Sequence, residues 1–383
     1  MKKNILLIGI IWSILTVICL GTISNYDPDN ATGTTQTSNI IYSLIVFQFF
    51  PSIFVTAYYL KRKCMSKIHY AVLGLLSIWS FLVLLAMGNE AWKMIGRTPG
   101  HIVAERPLRK GAIKDFDVTQ RMVRVLFERV GVSRFNRPKV LICVPSAITA
   151  VERRAVTEAA RRAGATDAQL IEQPLAAAIG ANLPISEPVG NMVVDIGGGT
   201  SESAMLSLGG VVALEAVRVG SFDIDAAIQD YLRSEYGMAI GEHTAEEIKI
   251  QIGSAAPSPV ELRAEVIGRE IMTGLPKKVI LTATEVRKAI NEPVTAMIES
   301  AVTCLTQAPP ELGQDLIAQG IHLVGGGGLL SGFDLRLAEE TGVPVRQVAE
   351  PLECVVLGAG QCIESFEAMR AMFMDSRPRK VGR

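Results

Sequence analysis

An apolar run, Val193-Val194-Asp195-Ile196, leads without a break into Gly197, Gly198, Gly199, Thr200, Ser201 and Glu202. Three successive glycines offer backbone N–H groups that no Cβ screens, and a turn of that kind can close on phosphate oxygens. Asp195, just before the turn, has the chemistry to hold Mg²⁺ through water, because that ion takes one or two carboxylates beside substrate phosphates. Thr200 adds a hydroxyl. The same residues also describe a glycine-rich hairpin with no ligand. About 130 residues further on, Ile321-His322-Leu323-Val324 runs into Gly325, Gly326, Gly327, Gly328, Leu329 and Leu330. Bare backbone there suits the ribose, α-phosphate or base of a nucleotide, or a structural turn. A weaker signal is Glu172-Gln173-Pro174-Leu175-Ala176-Ala177-Ala178, with polar groups at the start of a small-residue helix.

These residues need a sheet to position them. From Lys139 onward the pattern alternates: a buried strand at 139–145, a helix at 149–164, a strand at 169–172 and a helix at 331–340. Alternation of this kind predicts a parallel or mixed sheet covered by helices. Ligands in such folds sit beyond the carboxyl ends of strands, where residues 195–200 fall.

The first 87 residues read differently. Three apolar runs, at about 5–24, 40–60 and 70–87, each approach the roughly 20 residues that a helix needs to cross a bilayer, so three transmembrane helices are expected. The first connection carries Asp27 and Asp29, the second Lys61, Arg62, Lys63 and Lys67. The positive-inside rule then puts the amino terminus and the second connection in the cytoplasm and everything after Met87, both glycine clusters included, outside. Over all 383 residues, 49% are apolar and the formal net charge is zero, so there is no basic field to indicate nucleic acid. Six cysteines without any C-x-x-C pair indicate neither a disulfide framework nor a zinc site. A basic tail is expected over 366–383, with Arg377, Arg379, Lys380 and Arg383.

In combination these motifs resemble the actin-like ATPases, and within them the MreB family of bacterial actins, over residues 86–365. The likeness runs in order through 86–91 with 94–100, 111–117, 143–145 with 151–154, and 172–184. It continues through the second phosphate loop at 195–201, the adenosine-contacting helix residues Glu246, Glu247, Ile248 and Lys249, and the adenosine loop at 325–330. It implies an α/β, ribonuclease H-like, two-lobed ATPase fold: a remnant of the first lobe at 88–180, a second lobe at 181–365, and exchange between lobes near 340–365. It further implies ATP and Mg²⁺ as cofactors and slow hydrolysis. The implied partners are further copies of the chain in filaments, the membrane, and the cell-wall elongation machinery of rod-shaped bacteria, in a cytoplasmic, membrane-associated setting.

Two departures qualify that expectation. The residue that polarises the attacking water in this family is usually Glu and here is Gln173; a neutral amide orients water but accepts no proton, and actin itself carries Gln there. Thr200 would help hold that water. The strand–hairpin–strand that opens the family and supplies its first phosphate loop has no counterpart in residues 1–86. Losing several charge-assisted hydrogen bonds at about 1.5 to 3 kcal/mol each weakens nucleotide binding on the order of a thousandfold or more. The alternatives are a membrane-anchored, non-catalytic interaction protein, and a composite of a small membrane protein with a truncated family member, joined near Leu85-Ala86.

Overall fold

The computed structural model describes residues 91, 94–98, 104, 106–132 and 137–374. The chain divides between Leu85 and Ala86, and every described residue belongs to the second unit. The three apolar runs expected to cross a membrane lie outside the described residues. Among the described residues no helix is long and apolar enough to do so.

A short hairpin, β1 (Leu108–Arg109) and β2 (Ala112–Ile113), leads into α1 (Phe116–Arg129). Its turn residues Lys110 and Gly111 both have positive φ, 49° and 74°. Next come β3 (Lys139–Val144), α2 (Ala150–Ala163) and β4 (Asp167–Glu172), close to the boundaries expected from the sequence. The strands pair in parallel, as a helical crossover requires. Helix α2 starts with a capping box: Thr149 Oγ1 accepts the Glu152 N–H at 3.2 Å, and the Glu152 carboxylate accepts the Thr149 N–H at 2.9 Å. Helix α3 (Gln173–Gly180) follows β4 directly, with Pro174 in its first turn where no intrahelical N–H is needed.

A five-stranded sheet comes next. It is begun by β5 (Asn191–Ile196), β6 (Ser201–Ser207) and β7 (Gly210–Val217), an antiparallel meander. Then follow α4 (Ser221–Tyr236), β8 (Met238–Ala239), α5 (Glu242–Ile252), β9 (Arg263–Glu270) and β10 (Pro276–Thr282), with β9 pairing between β8 and β10 in a separate antiparallel sheet. Helices α6 (Ala283–Ala289), α7 (Asn291–Gln307) and α8 (Pro310–Gln319) return the chain to β11 (Ile321–Val324). After α9 (Phe333–Thr341), β12 (Val345–Gln347) completes the order β12-β11-β5-β6-β7. The sheet is mixed: β11 runs parallel to both β5 and β12.

Strand β5 is buried along its whole length, so it carries apolar residues toward both faces. Met192, Val194 and Ile196 enter a core with Ile224, Ile228, Met297 and Phe333. Val193 faces the other way, toward Leu175, Ala176 and Ala177 of α3 and toward Cys354 and Cys362 of α10 (Cys354–Glu364). Helices α3 and α10 touch backbone to backbone. A Cβ on Gly180 would fall 1.9 Å from the Cys354 carbonyl oxygen, and one on Gly358 would fall 1.8 Å from that of Ala176.

The basic tail expected over 366–383 is corrected at its start. Helix α11 (Phe366–Met369) and the turn after it fold back, Met369, Met372 and Phe373 pack on the α3–α10 core, and the Met374 N–H donates to Leu170 O at 2.8 Å. Apolar residues at helical spacing outweigh the basic composition further on. Arg377, Arg379, Lys380 and Arg383 lie outside the described residues.

Candidate nucleotide site

Ile196 pairs with Ser201 across β5 and β6, so Gly197, Gly198, Gly199 and Thr200 form a four-residue hairpin loop. The loop closes on itself through Gly197 N–H to Thr200 O at 2.9 Å. The first turn of α4 holds it from beneath: Ser221 N–H donates to Gly197 O at 3.0 Å and Phe222 N–H to Gly198 O at 2.8 Å. Among the described residues, the N–H groups of Gly198, Gly199 and Thr200 have no acceptor, which leaves them available to an anion. The bare backbone is required sterically, because a Cβ on Gly198 would lie 2.6 Å from the Phe222 ring.

The second glycine cluster arrives beside the first. Val324 of β11 is the parallel neighbour of Asp195, so both strands end at the same rim. Gly325 (φ 81°) starts a 3₁₀ turn over Gly326–Leu329, and a Cβ on it would fall 2.4 Å from Ile196 O and 2.5 Å from Asp195 Oδ1. Two clusters far apart in sequence thus meet beyond the carboxyl ends of adjacent parallel strands, the place where ligands of such sheets bind. Gly327 and Gly328 are buried, whereas Leu329 is half exposed.

Asp195 lies directly opposite Glu202 in the β5–β6 register, so both carboxylates project from one face. Asp195 is buried with no donor paired to it among the described residues, and desolvation pushes its pKa up to about 6. Glu202 accepts from the Ser146 N–H at 3.1 and 3.2 Å and from its hydroxyl at 3.0 Å. Burial still drives Glu202 to about 7, with the charges of Asp195 and Glu172 adding to the rise. Glu172 is itself raised by burial, opposed by the charge of Arg153. One unpartnered carboxylate beside free N–H groups fits a Mg²⁺ reached through water. Among the described residues no three metal-ligating side chains form a cage, which also suits that ion.

Gln173 is the first residue of α3 and half-buried, and Thr200 lines a small cavity together with Glu202, Lys110 and Arg218. The α5 residues divide by helical period. Ile248 points into the core with Ala245 and Ile252, so its side chain is not on a ligand surface. Glu247 is exposed and 3.3 Å from His243. Lys249 reaches back to α4, 2.8 Å from Asp225 Oδ1 and 2.7 Å from Ser221 Oγ, as a nearly buried ion pair rather than a solvated pair with Glu246. Glu246 adds its charge to the field at Asp225, whose pKa is raised chiefly by burial.

Sequence reasoning passed over Glu202 and Ser146, although period-two alternation across a four-residue loop puts Asp195 and Glu202 on one face. It also passed over the β1–β2 hairpin as a wall of the site. A cleft of about 200 Å³ is lined by Arg106, Lys110, Gly199, Phe222, Asp223 and Glu242. Arg106 stacks 3.9 Å above the Phe222 ring and reaches Glu242 at 3.0 Å.

Known proteins resemble this chain in sequence and fold. The sequence model of the MreB/Mbl protein family matches residues 81–371. The cell shape-determining protein MreB of Escherichia coli K12 is 48% identical over 284 residues, 74% of this chain and 82% of that protein. The cell shape-determining protein Mbl of Bacillus subtilis 168 is 41% identical over 286 residues, 74% of this chain and 86% of that protein. Crystal structures of MreB5 of Spiroplasma citri, bound to ADP and to AMPPNP, superpose with a TM-score of 0.70 at 32% identity, covering 75% of this chain and 87% and 86% of theirs. The MamK double helical filament, at 20% identity and a TM-score of 0.60 over 73% of this chain, shares the fold. On the family match and these identities, the chain belongs to the MreB/Mbl family of actin-like proteins.

Proposed function

We propose that this chain binds ATP or ADP with Mg²⁺ where its two glycine clusters meet, turns ATP over slowly, and assembles with further copies into filaments that direct cell shape. The observation that carries the reading is the convergence of the 197–200 loop and the 325–330 turn around Asp195, a buried carboxylate with no partner among the described residues. In this reading the N–H groups of Gly198, Gly199 and Thr200 donate to phosphate oxygens, and Asp195 would orient water around the metal. The metal would neutralise phosphate charge. The Thr200 hydroxyl helps hold the attacking water, and Gln173 orients it without taking its proton, so turnover is slow. The Gly325-to-Leu329 backbone lies against the nucleoside, and Glu246 and Lys249 flank it from α5.

Related MreB5 was crystallised with ADP and with AMPPNP, and the curated relatives are named for determining cell shape. Both support the reading. The apolar runs of residues 5–87 would hold the filament at the membrane, with the elongation machinery as the partner it positions, and a nucleotide-using domain belongs on the cytoplasmic side. Equilibrium binding of a fluorescent ATP analogue to the full-length chain is expected to be Mg²⁺-dependent, displaced by ADP, and weaker than in the Escherichia coli relative. No saturable binding at millimolar nucleotide would overturn the reading. That result would favour the non-catalytic interaction protein, for which the neutral Gln173 is the supporting residue.

A further inference from the structure

Lys110 occupies a position that its residue type does not favour. Its backbone is left-handed (φ 49°) in the two-residue turn between β1 and β2, where Asn, Asp or Gly carries least strain. Strain at a single residue is a pointer to function when the surroundings hold it in place. Here they do: a Cβ on Gly199 would come within 2.9 Å of the Lys110 nitrogen, so the turn lies directly on the glycine loop. The Lys110 ammonium is 3.4 Å from Asp223 Oδ1, and both side chains remain open to water. Oδ2 of the same carboxylate accepts the Gly220 N–H at 2.8 Å. Lys110, Gly199 and Asp223 line one cleft of about 200 Å³.

We propose that Lys110 is a phosphate-binding residue, whose ammonium leaves Asp223 for the terminal phosphate oxygens of a nucleoside di- or triphosphate seated on the 197–200 loop. The inference rests on the nucleotide reading above and adds a cationic contact from the hairpin wall. An exposed Lys–Asp pair is worth little in water, so exchanging it costs little. A phosphate chain carries more charge than one carboxylate and offers the ammonium several oxygens for charge-assisted hydrogen bonds. Asp223 opposes the same anion, because it holds a negative charge at the rim while occupying the cation.

The opposed roles make the test directional. Full-length wild type, Lys110→Asn and Asp223→Asn are titrated with AMPPNP and with adenosine in the presence of Mg²⁺. Lys110→Asn is expected to weaken AMPPNP binding about tenfold and leave adenosine within about twofold, since the contact is to phosphate. It should melt no lower than wild type, because asparagine suits the left-handed turn. Asp223→Asn retains an acceptor for the Gly220 N–H and is expected to tighten AMPPNP binding. Unchanged AMPPNP affinity in Lys110→Asn, an equal loss for adenosine, or weaker binding in Asp223→Asn would each overturn the assignment while leaving the nucleotide reading intact. A wild-type chain that takes up no AMPPNP overturns that reading, and the role of Lys110 with it.

Discussion

Glu202→Gln raises the melting temperature of the ligand-free protein at pH 8, and most of that gain is gone at pH 5. The cause is the placement of two carboxylates opposite one another on a buried face of β5 and β6. Glu202 moves from an ordinary value of 4.5 to about 7 in the folded chain, chiefly by desolvation. A raised carboxylate pKa means that the folded state binds more protons than the unfolded state between those values, so stability falls as pH rises through the interval. A shift of that size corresponds to roughly 3 kcal/mol lost between pH 4 and pH 8. Asp195, moving from 3.8 to about 6, acts in the same direction over a lower range. Glutamine keeps an acceptor for the Ser146 N–H and removes the charge. Parallel thermal melts of wild type and variant across pH 4 to 8 measure the difference, and an equal gain at both ends would show that burial of charge is not its source. Mg²⁺ with nucleotide should shrink the gain, since a cation near Asp195 compensates what desolvation withholds.

Gly358→Ala separates α3 from α10. Its Cβ would stand 1.8 Å from the Ala176 carbonyl oxygen, with no flexible side chain to yield, and Gly180 meets Cys354 reciprocally. The helices must move apart, opening the core that Leu175, Ala177 and Cys362 fill. Overpacking usually costs about 1 to 3 kcal/mol, and a clash of backbone on both sides belongs at or above the top of that range. A fall in melting temperature of roughly 5 to 10 °C is expected. Gly360→Ala in the same helix is the control: nothing lies within 4 Å of its added Cβ, so replacing a helical glycine there stabilises by roughly 0.5 to 1 kcal/mol. If Gly358→Ala melts with wild type, the close approach of the two helices is not as described.

What could be read from the residues was what local patterns encode. An apolar run ended by glycines marks β5 and its loop, and the Thr149–Glu152 capping box marks the start of α2. The meeting of residues 325–330 with Asp195 was accessible only as coincidence of two similar signals, since neither states that β11 adjoins β5. Lys249 illustrates what stays hidden: its partner Asp225 comes from another helix, and no spacing within α5 announces it. The same holds for Lys110, whose contact with Gly199 joins a hairpin to a loop remote in sequence. The start of the carboxy-terminal segment was misread for a different reason. Phe366, Met369, Met372 and Phe373 recur at helical spacing, but the run of arginines after them dominates the composition.

The contact between α3 and α10 also has a consequence for the order of assembly. Cys354 Sγ donates to Ala177 O across 177 positions of chain. Helix α3, which begins with Gln173, therefore lacks one of its two packing partners, α10, until that helix has left the ribosome, although β5 already supports its other side. A contact so distant in sequence forms late and slowly, so a nascent chain carries the whole 197–200 loop long before it holds a finished site. During that interval the side of α3 that α10 comes to cover, along Ala176, Ala177 and Gly180, stays open, an apolar surface exposed while the chain emerges.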